Sequence, residues 1–344
     1  MRSYSRPKCT AALARNLLSM AFLLGLNLTA SADEPKVGEA IPRKGDEIVV
    51  CGQLFHTTAP VVLWMDPGGF DAYRVENRFA RTNVPPVRKG DSERTPNRYG
   101  RRKVTLTPEQ AEQVHGGGWD LPLLQSVVDQ FVIHFDVAGT SKKCFEVLHD
   151  HRNLSVHFML DVDGTIYQSL DLKEGAWHAT ISNGRSIGIE IANVGAYPVK
   201  NKSAAPVFSK WYRKDDKGGI ELVLPEGQGH RASLGKDWVA RPSRPEPVVG
   251  MVQGQELEQY DLTPEQYDSL IKLTATLCKV FPKIKCDYPR DASGKLVDHK
   301  LPEADFKAYE GVLGHYHVQT NKVDPGPAFQ WDKVIDGARA LMAK

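Results

Sequence analysis

The chain has 344 residues, of which 25% are charged and 41% are hydrophobic, and its formal net charge is +2. So small a net charge lacks the basic footprint of a nucleic-acid-binding protein, and we expect no nucleic-acid partner. The length allows one large domain, or one and a half, with an ample hydrophobic core.

The first 32 residues have the three-part pattern of a secretory signal peptide. Four basic residues and no acid precede an apolar run from Leu17 to Leu28, which the small residues Ala30-Ser31-Ala32 follow. The run is shorter than the roughly 20 residues that a membrane-spanning helix needs. We therefore expect cleavage after Ala32 and a secreted or periplasmic protein with no membrane span. Loss of the four positive charges would lower its formal net charge from +2 to −2.

Residues 33–105 predict a β-rich N-terminal extension. Short β-like runs, Glu47–Cys51 and Val61–Trp64, alternate with Gly, Pro and basic clusters. Residues 80–103 are rich in Arg, Asn and Pro, a composition that indicates an exposed loop.

The main domain is predicted over residues 106–344. Its first helix has Thr107 as the N-cap, because a proline follows at the first helical position and a glutamine three residues later completes a capping box. The stretch from Gln130 to Asp136 then predicts a strand whose side chains alternate between two faces. His134 and Asp136 share one of these faces.

Further strands are predicted downstream in the same domain. After a short helical stretch around 144–150, a hairpin is predicted over residues 155–169, with its turn at an Asp-Gly pair. The next strand is Ser186–Ala192, and Gly188 and Glu190 lie on the same face of it.

Residues 196–260 break the periodicity, because Pro, Gly and charged residues dominate them, and they indicate an insertion. A second capped helix is predicted to begin at Thr263, and its apolar positions follow one helical face. A last helix is predicted over about 328–342. Strands that alternate with helices favour an α/β domain with a central mixed β-sheet flanked by helices.

Four cysteines remain after the predicted cleavage: Cys51, Cys144, Cys278 and Cys286. An even number in an exported protein indicates disulfides, with three possible pairings, whereas free buried thiols are the alternative. No C-x-x-C spacing supports a zinc cluster. A Phe-Pro break after the helix that contains Cys278 could turn the chain back. We therefore predict a Cys278–Cys286 bond, with Cys51 and Cys144 paired or free.

The sequence has 11 histidines, so a single histidine is a weak candidate for a metal ligand. More specific is the combination of His134 on its strand with His315 and Asp324 near the C-terminus. Two imidazoles and one carboxylate would leave a zinc ion one open position for water. His317 stays an alternative to His315, because the two side chains would share a face if this stretch were a strand.

Seven short motifs follow one another along the chain: Val132-Ile133-His134, Ser155–Phe158, Asp163–Gln168, Ala176–Ala179, Ser186–Glu190, Gly314-His315 and Lys322–Pro327. In this order they resemble the type-2 N-acetylmuramoyl-L-alanine amidases, which share their fold with phage lysozyme amidases and animal peptidoglycan recognition proteins. The resemblance implies that fold, with insertions. It also implies hydrolysis of the amide bond between N-acetylmuramic acid and L-alanine in peptidoglycan or muropeptides.

The resemblance further implies the roles of individual residues. Zinc would be held by His134, His315 and Asp324. Glu190 would be the catalytic carboxylate, and Lys322 would be an electrophilic helper. We expect the enzyme to be a monomer.

Two features of the sequence agree with this assignment. Gly188 has no side chain, so we expect it to leave room for substrate beside Glu190. Asp324 precedes a proline, which favours an extended backbone, and we expect a helix to start just after it, where a negative charge is favoured.

Trp177, His178 and Asn183 are the candidate substrate-binding residues. Trp177 could stack on sugar or peptide, although a buried structural aromatic is the alternative interpretation. His178 is expected to line the substrate cleft, and His157 to lie in the core or behind the metal ligands.

The chain also departs from the family. Val156 stands where the phage-lysozyme branch has a tyrosine, so the role of that tyrosine is absent. The segments 33–105 and 196–260 have no counterpart in the minimal domain.

Two other functions stay open at this point. A non-catalytic peptidoglycan-binding module of the same fold would typically lack the third metal ligand, which Asp324 supplies. A zinc peptidase acting on peptide stems would use the same metal chemistry, but the chain has no H-E-x-x-H motif, the commonest zinc-protease solution.

The first prediction concerns export. The mature protein should begin at Asp33, because the basic, apolar and small-residue segments end at Ala32. Intact-mass analysis of the exported protein measures this directly. A protein that retains residues 1–32 would contradict the secretory interpretation.

Overall fold

The computed structural model describes residues 37–76, 78–79, 98–202 and 204–344. The predicted signal peptide lies outside the described residues, as does most of the loop predicted over 80–103. Arg43–Lys344 form one compact unit.

The strands of the described residues are β1 (Glu47–Val50), β2 (Gln53–His56), β3 (Val61–Leu63), β4 (Tyr99–Arg101), β5 (Gln130–Phe135), β6 (Phe158–Leu160), β7 (Ile166–Gln168), β8 (Glu174–Ala176), β9 (Ser186–Ile191), β10 (Tyr197–Pro198), β11 (Tyr212–Lys214), β12 (Ile220–Leu222), β13 (Val248–Val252), β14 (Gln255–Gln259) and β15 (Gly311–Gly314). The α-helices are α1 (Pro108–Gly116), α2 (Leu121–Val127), α3 (Ser141–Phe145), α4 (Ala204–Trp211), α5 (Pro264–Val280), α6 (Glu303–Ala308), α7 (His315–Val318) and α8 (Trp331–Met342). A π-helical turn, Glu146–His151, continues α3.

The centre of the unit is a six-stranded sheet in the order β15-β5-β9-β6-β7-β3. The strands β15, β5, β9 and β6 run parallel to one another, and β7 runs antiparallel to β6 and parallel to β3. The predicted α/β class with a central mixed sheet flanked by helices is therefore confirmed.

The two faces of the sheet have different roles because side chains alternate along each strand. On one face, Phe131 and Ile133 of β5 and Ile189 of β9 pack in the main hydrophobic cluster, to which α5 and α8 also contribute. The other face carries His134 and Glu190, which are direct neighbours in the parallel register of β5 and β9. The polar face is thus held in place by the burial of the apolar one.

Both predicted capping boxes are present. At the start of α5, the hydroxyl of Thr263 accepts a hydrogen bond from the Gln266 amide at 3.1 Å, and the Gln266 side chain accepts one from the Thr263 amide at 2.9 Å. Thr107 and Gln110 form the same pair at the start of α1. The last helix begins at Trp331 rather than at residue 328.

From Arg43 onward, the described part of the predicted N-terminal extension belongs to the same unit. Its strand β3 pairs with β7 and forms one edge of the central sheet. The backbone of Val49 in β1 accepts from and donates to the side chain of Gln168, both at 2.8 Å. In the sequence, short runs broken by Gly and Pro do not show which sheet they join, and for that reason the sequence predicts a separate extension. The domain boundary near residue 105 stays a prediction.

The segment 196–260, predicted as an insertion, contains a short helix and five short strands. The strands form two small sheets, β10-β14-β13 and β11-β12. A separate hydrophobic cluster contains Phe208, Tyr212 and Ile220, and Tyr260 packs against it. The rings of Tyr260 and Tyr212 stack with their centroids 3.9 Å apart. Across the described ranges, none of the helices combines the length and the apolar character that a bilayer span requires.

Within the described part of the chain, the four cysteines are free thiols. The Cys278 and Cys286 thiols are close enough to shift each other's pKa: that of Cys278 is raised and that of Cys286 is lowered. The predicted pairing of these two residues therefore stays a prediction.

The second prediction is that oxidation joins Cys278 to Cys286. Closing so short a loop should stabilise the protein by on the order of 2–3 kcal/mol. Peptide mapping of alkylated, unreduced protein should recover the two cysteines in one linked pair. In a Cys278→Ser control, Cys286 should become available for alkylation, whereas an alkylated Cys278 in the wild type would exclude the bond.

Candidate metal centre

The three predicted metal ligands lie at one edge of the central sheet. His134 is near the carboxyl end of β5, and His315 follows directly on the neighbouring parallel strand β15. Because the carboxyl ends of parallel strands meet at the same edge, the two imidazoles approach each other. The turn after α7 brings Asp324 to the same point, and all three side chains are buried.

The ligand atoms form a small triangle. The Nδ1 atoms of His134 and His315 are 2.9 Å apart. The Asp324 Oδ2 atom lies 2.9 Å from Nδ1 of His134 and 3.0 Å from Nδ1 of His315. A tetrahedral zinc ion, with bonds of about 2.0–2.1 Å, separates its ligand atoms by about 3.3 Å. The triangle is therefore close to the size that zinc requires.

The hydrogen bonds around the triangle also fit a cation. Nε2 of His315 lies 2.7 Å from the amide oxygen of Gln319, which can only accept, so His315 carries its proton on Nε2. Its Nδ1 lone pair then faces a carboxylate oxygen of Asp324. Two acceptors at this distance repel each other unless a cation lies between them.

A second group of metal-binding residue types, Asp46, Glu47 and His56, lies in the β1–β2 region. The Glu47 carboxylate already accepts hydrogen bonds from three backbone amides and from Arg43. These bonds lower its pKa to about 2 although burial opposes them. We assign no metal to this group.

A cavity of about 160 Å³ opens beside the triangle. Both charged and apolar side chains line it. The residues that line it are His134, Phe135, Asp136, Val137, Cys144, Val147, Leu148, Arg152, Leu154, Ser155, Trp177, His178, Glu190, His315, Lys322 and Asp324.

Glu190 lines this cavity next to His134 in the sheet register. Burial, followed by the negative charges of Asp324 and Asp136, raises the pKa of the Glu190 carboxyl well above its usual value, and the Lys322 charge opposes this. A carboxyl group in such an environment can hold a proton and release it when a positive charge approaches.

Lys322 also lines the cavity and is half-buried. It stands two residues before Asp324, so the turn that delivers the carboxylate ligand delivers the ammonium group as well. Its positive charge lowers the pKa of His134 and of Glu190. The position suits a group that stabilises negative charge in the cavity.

The three predicted substrate-binding residues have different surroundings. Trp177 lines the cavity, and its backbone N–H donates to the Ser155 hydroxyl at 3.2 Å. Asn183 is not among the residues that line the cavity. Its side-chain oxygen accepts hydrogen bonds from the backbone amides of His178 at 3.2 Å and Ala179 at 2.6 Å, and so holds the turn between them.

His178 touches the cavity with one edge, but both of its ring nitrogens face protein groups. Its Nδ1 lies 3.0 Å from Nε2 of His134, and its Nε2 lies 3.2 Å from the Ser186 hydroxyl. The expectation that Gly188 leaves room for substrate is wrong, because the His178 ring fills that space. A Cβ atom on Gly188 would lie 2.7 Å from Cγ of the ring and closer still to Nδ1.

His317 does not join the metal group. The stretch after Gly314 is a helical turn rather than a strand, so His315 and His317 point in different directions. Nδ1 of His317 accepts from the Gly314 amide at 2.9 Å, and its Nε2 donates to the Val297 carbonyl at 2.6 Å. His157 is a core residue, as expected, and accepts from the Gly188 amide at 3.1 Å.

The expected helix start just after Asp324 is also wrong. The helix α8 begins at Trp331, and a turn with Gly326 at φ +85° lies between. Asp324 therefore does not directly precede the start of α8. Although burial opposes it, contact with His315 and His134 lowers the pKa of the Asp324 carboxyl far below its usual value, which favours the carboxylate that a metal ion requires.

Sequence reasoning missed two residues that hold the ligands. Gln319 lies four residues after His315, and this helical spacing was the available signal. Gln259 of β14 has no such signal. Its side chain donates to the Pro325 carbonyl and accepts from the Ala328 amide, both at 3.0 Å, and so holds the turn that follows Asp324.

Several solved structures are similar to the chain, whereas the comparison with curated proteins found no match. A selenomethionine derivative of AmpD is 16% identical, with 70% of this chain and 89% of that chain covered and a TM-score of 0.30. The endolysin amidase LysCS from Clostridium intestinale is 16% identical, with 63% and 86% covered and a TM-score of 0.31. The amidase AmiD from E. coli, solved as a complex with a substrate, is 17% identical, with 61% and 57% covered and a TM-score of 0.33.

The family comparison extends over more than half of the chain. Residues 124–327 match the model of the N-acetylmuramoyl-L-alanine amidase family, a range that includes the three residues of the triangle and Glu190. The chain belongs to the N-acetylmuramoyl-L-alanine amidase family.

Proposed function

We propose that this amidase is zinc-dependent and hydrolyses the amide bond between N-acetylmuramic acid and L-alanine in peptidoglycan or muropeptides. The observation that carries the proposal is the triangle of His134, His315 and Asp324, with ligand atoms 2.9–3.0 Å apart, at the wall of a cavity that Glu190 also lines. Zinc would be held by Nδ1 of each histidine and by Oδ2 of the aspartate.

Zinc bound there would polarise the scissile carbonyl and lower the pKa of an attacking water. Glu190 takes the proton from that water and later delivers it to the leaving amine. Two opposing influences suit it to both steps: burial favours its protonated form, and positive charge beside it favours the carboxylate. Lys322 stabilises the negative charge that develops on the carbonyl oxygen.

The cavity walls suit a substrate that is part sugar and part peptide. Trp177 provides an aromatic face for stacking, and Val147, Leu148 and Leu154 provide an apolar surface. The surroundings of Asn183 and His178 do not support direct roles in substrate binding, so Trp177 is the residue that we retain for this role.

Export and a monomeric state are also part of the proposal. The pattern of residues 1–32 supports export to a compartment where peptidoglycan is accessible. A monomer is supported by the cavity, because a single chain supplies its ligands, its carboxylate and its lysine.

The third prediction separates metal binding from proton transfer. Replacing His134, His315 or Asp324 with Ala should lower zinc content and activity together. Glu190→Ala should keep about one zinc per chain and the wild-type fold, and should lose activity by about 10²–10⁴-fold, the usual contribution of a positioned acid–base group. Metal analysis and release of L-alanine N-termini from peptidoglycan provide the measurements.

Each other outcome has a clear meaning. Full activity of Glu190→Ala would remove Glu190 from catalysis, and loss of its zinc would make it a ligand or a support of the site. A wild type that binds peptidoglycan and zinc but releases no amine would be a binding module. Cleavage within the peptide stem, with no free lactyl carboxylate on muramic acid, would identify a peptidase.

The fourth prediction concerns Lys322. Lys322→Met should lower kcat by about 10²–10³-fold, the usual cost of removing one group that stabilises a developing oxyanion. Zinc content should not change, because Lys322 is not in the triangle. Lys322→Arg keeps the positive charge and should retain more of the rate. Steady-state kinetics on a soluble muropeptide test this, and an unchanged kcat in Lys322→Met would rule out the role.

A further inference from the structure

The His178 side chain connects His134 of the metal triangle to Ser186 at the start of β9. Its ring lies edge-on to that of His134, with centroids 5.2 Å apart and an interplanar angle of 84°. Nδ1 of His178 lies 3.0 Å from Nε2 of His134, and Nε2 of His178 lies 3.2 Å from the Ser186 hydroxyl. A ring held at both nitrogens has no free donor or acceptor for substrate.

The proton positions in this chain of contacts follow from the ligand atom. If His134 presents Nδ1 to zinc, its Nε2 must carry the proton of the neutral imidazole. That N–H donates to Nδ1 of His178, so His178 must carry its own proton on Nε2 and donate it to the Ser186 hydroxyl. Every nitrogen of the two rings then has a partner, and each ring is neutral.

Packing fixes the His178 ring in this orientation. The ring sits directly on the backbone of Gly188, where any Cβ atom would overlap it. Gly188 does not lie among the residues with positive φ, so its backbone does not require glycine. The side chain of Asn183 holds the backbone at His178 from the other side. Position 188 is therefore glycine because any side chain there would overlap the His178 ring.

We infer that His178 is a positioning residue, which orients His134 and fixes its tautomer for zinc, and that Gly188 is a glycine in order to admit the His178 ring. The inference rests on the zinc site proposed above. Partners that hydrogen-bond a metal-ligating histidine typically contribute about 10–100-fold to metal affinity.

The test measures zinc affinity rather than activity. His178→Phe keeps a ring of similar size but removes the acceptor for the His134 N–H, and should raise the zinc Kd by about 10–100-fold. His178→Asn should recover part of the affinity, because its side-chain oxygen can accept in place of Nδ1. Titration against a competing chelator gives each Kd, and circular dichroism checks the fold.

Gly188→Ala perturbs the same contact from the neighbouring strand β9. The substitution keeps the imidazole of His178, but the added Cβ atom displaces the ring. It should therefore also weaken zinc binding. Trp177→Ala is the matched control. Trp177 lines the same cavity but is not one of the three residues of the metal triangle, so its replacement should raise the KM for muropeptide and leave the zinc Kd unchanged.

The outcomes separate this inference from the proposed function. Wild-type zinc affinity in His178→Phe and in Gly188→Ala, with a raised KM in the former, would make His178 a substrate contact and overturn the inference alone. A wild type that binds no zinc would overturn the proposed function, and the inference with it. If His178→Phe does not fold, the comparison of His178→Asn and Gly188→Ala with the wild type decides the matter.

Discussion

The parallel pairing of β5 with β9 on one side and with β15 on the other brings distant residues to one edge of the sheet. His134 and Glu190 become neighbours because they are in register, and His315 joins them because its strand ends beside β5. The site therefore depends on the register of three strands. A slip of one residue would turn either side chain into the hydrophobic core.

That register is held by the opposite face of the sheet. Phe131, Ile133 and Ile189 are fully buried against a layer that includes α5 and α8. Each such side chain contributes about 1.5–3 kcal/mol through burial. Burial of the polar face contributes less to stability, because His134 and Asp324 lose their hydration there. Stability thus comes from one face of the strands and chemistry from the other.

The sequence was sufficient where the information is local. Alternation along β5 and β9 predicted which side chains share a face, and the capping residues predicted where α1 and α5 begin. It was insufficient where a contact joins distant segments. His178 and His134 are 44 positions apart in the sequence, and Gln259 and Pro325 are 66 apart. Contacts between such distant residues produce no periodic pattern in the sequence. The short turn of α7 was missed because four residues are too few for a helical pattern, so His317 stayed a candidate.

The contact between Gln259 and the turn after Asp324 has a consequence for how this chain can vary. A Cβ atom at Gly326 would lie 2.7 Å from Cδ of Gln259, so the two positions share one space. Gly326 also has a φ of +85°, which by itself favours glycine, so a larger residue there would need a different turn as well as a smaller neighbour at position 259. The segment 196–260 carries one half of this pair. An engineer who trims the chain toward a minimal domain would have to rebuild the support of the carboxylate ligand as well.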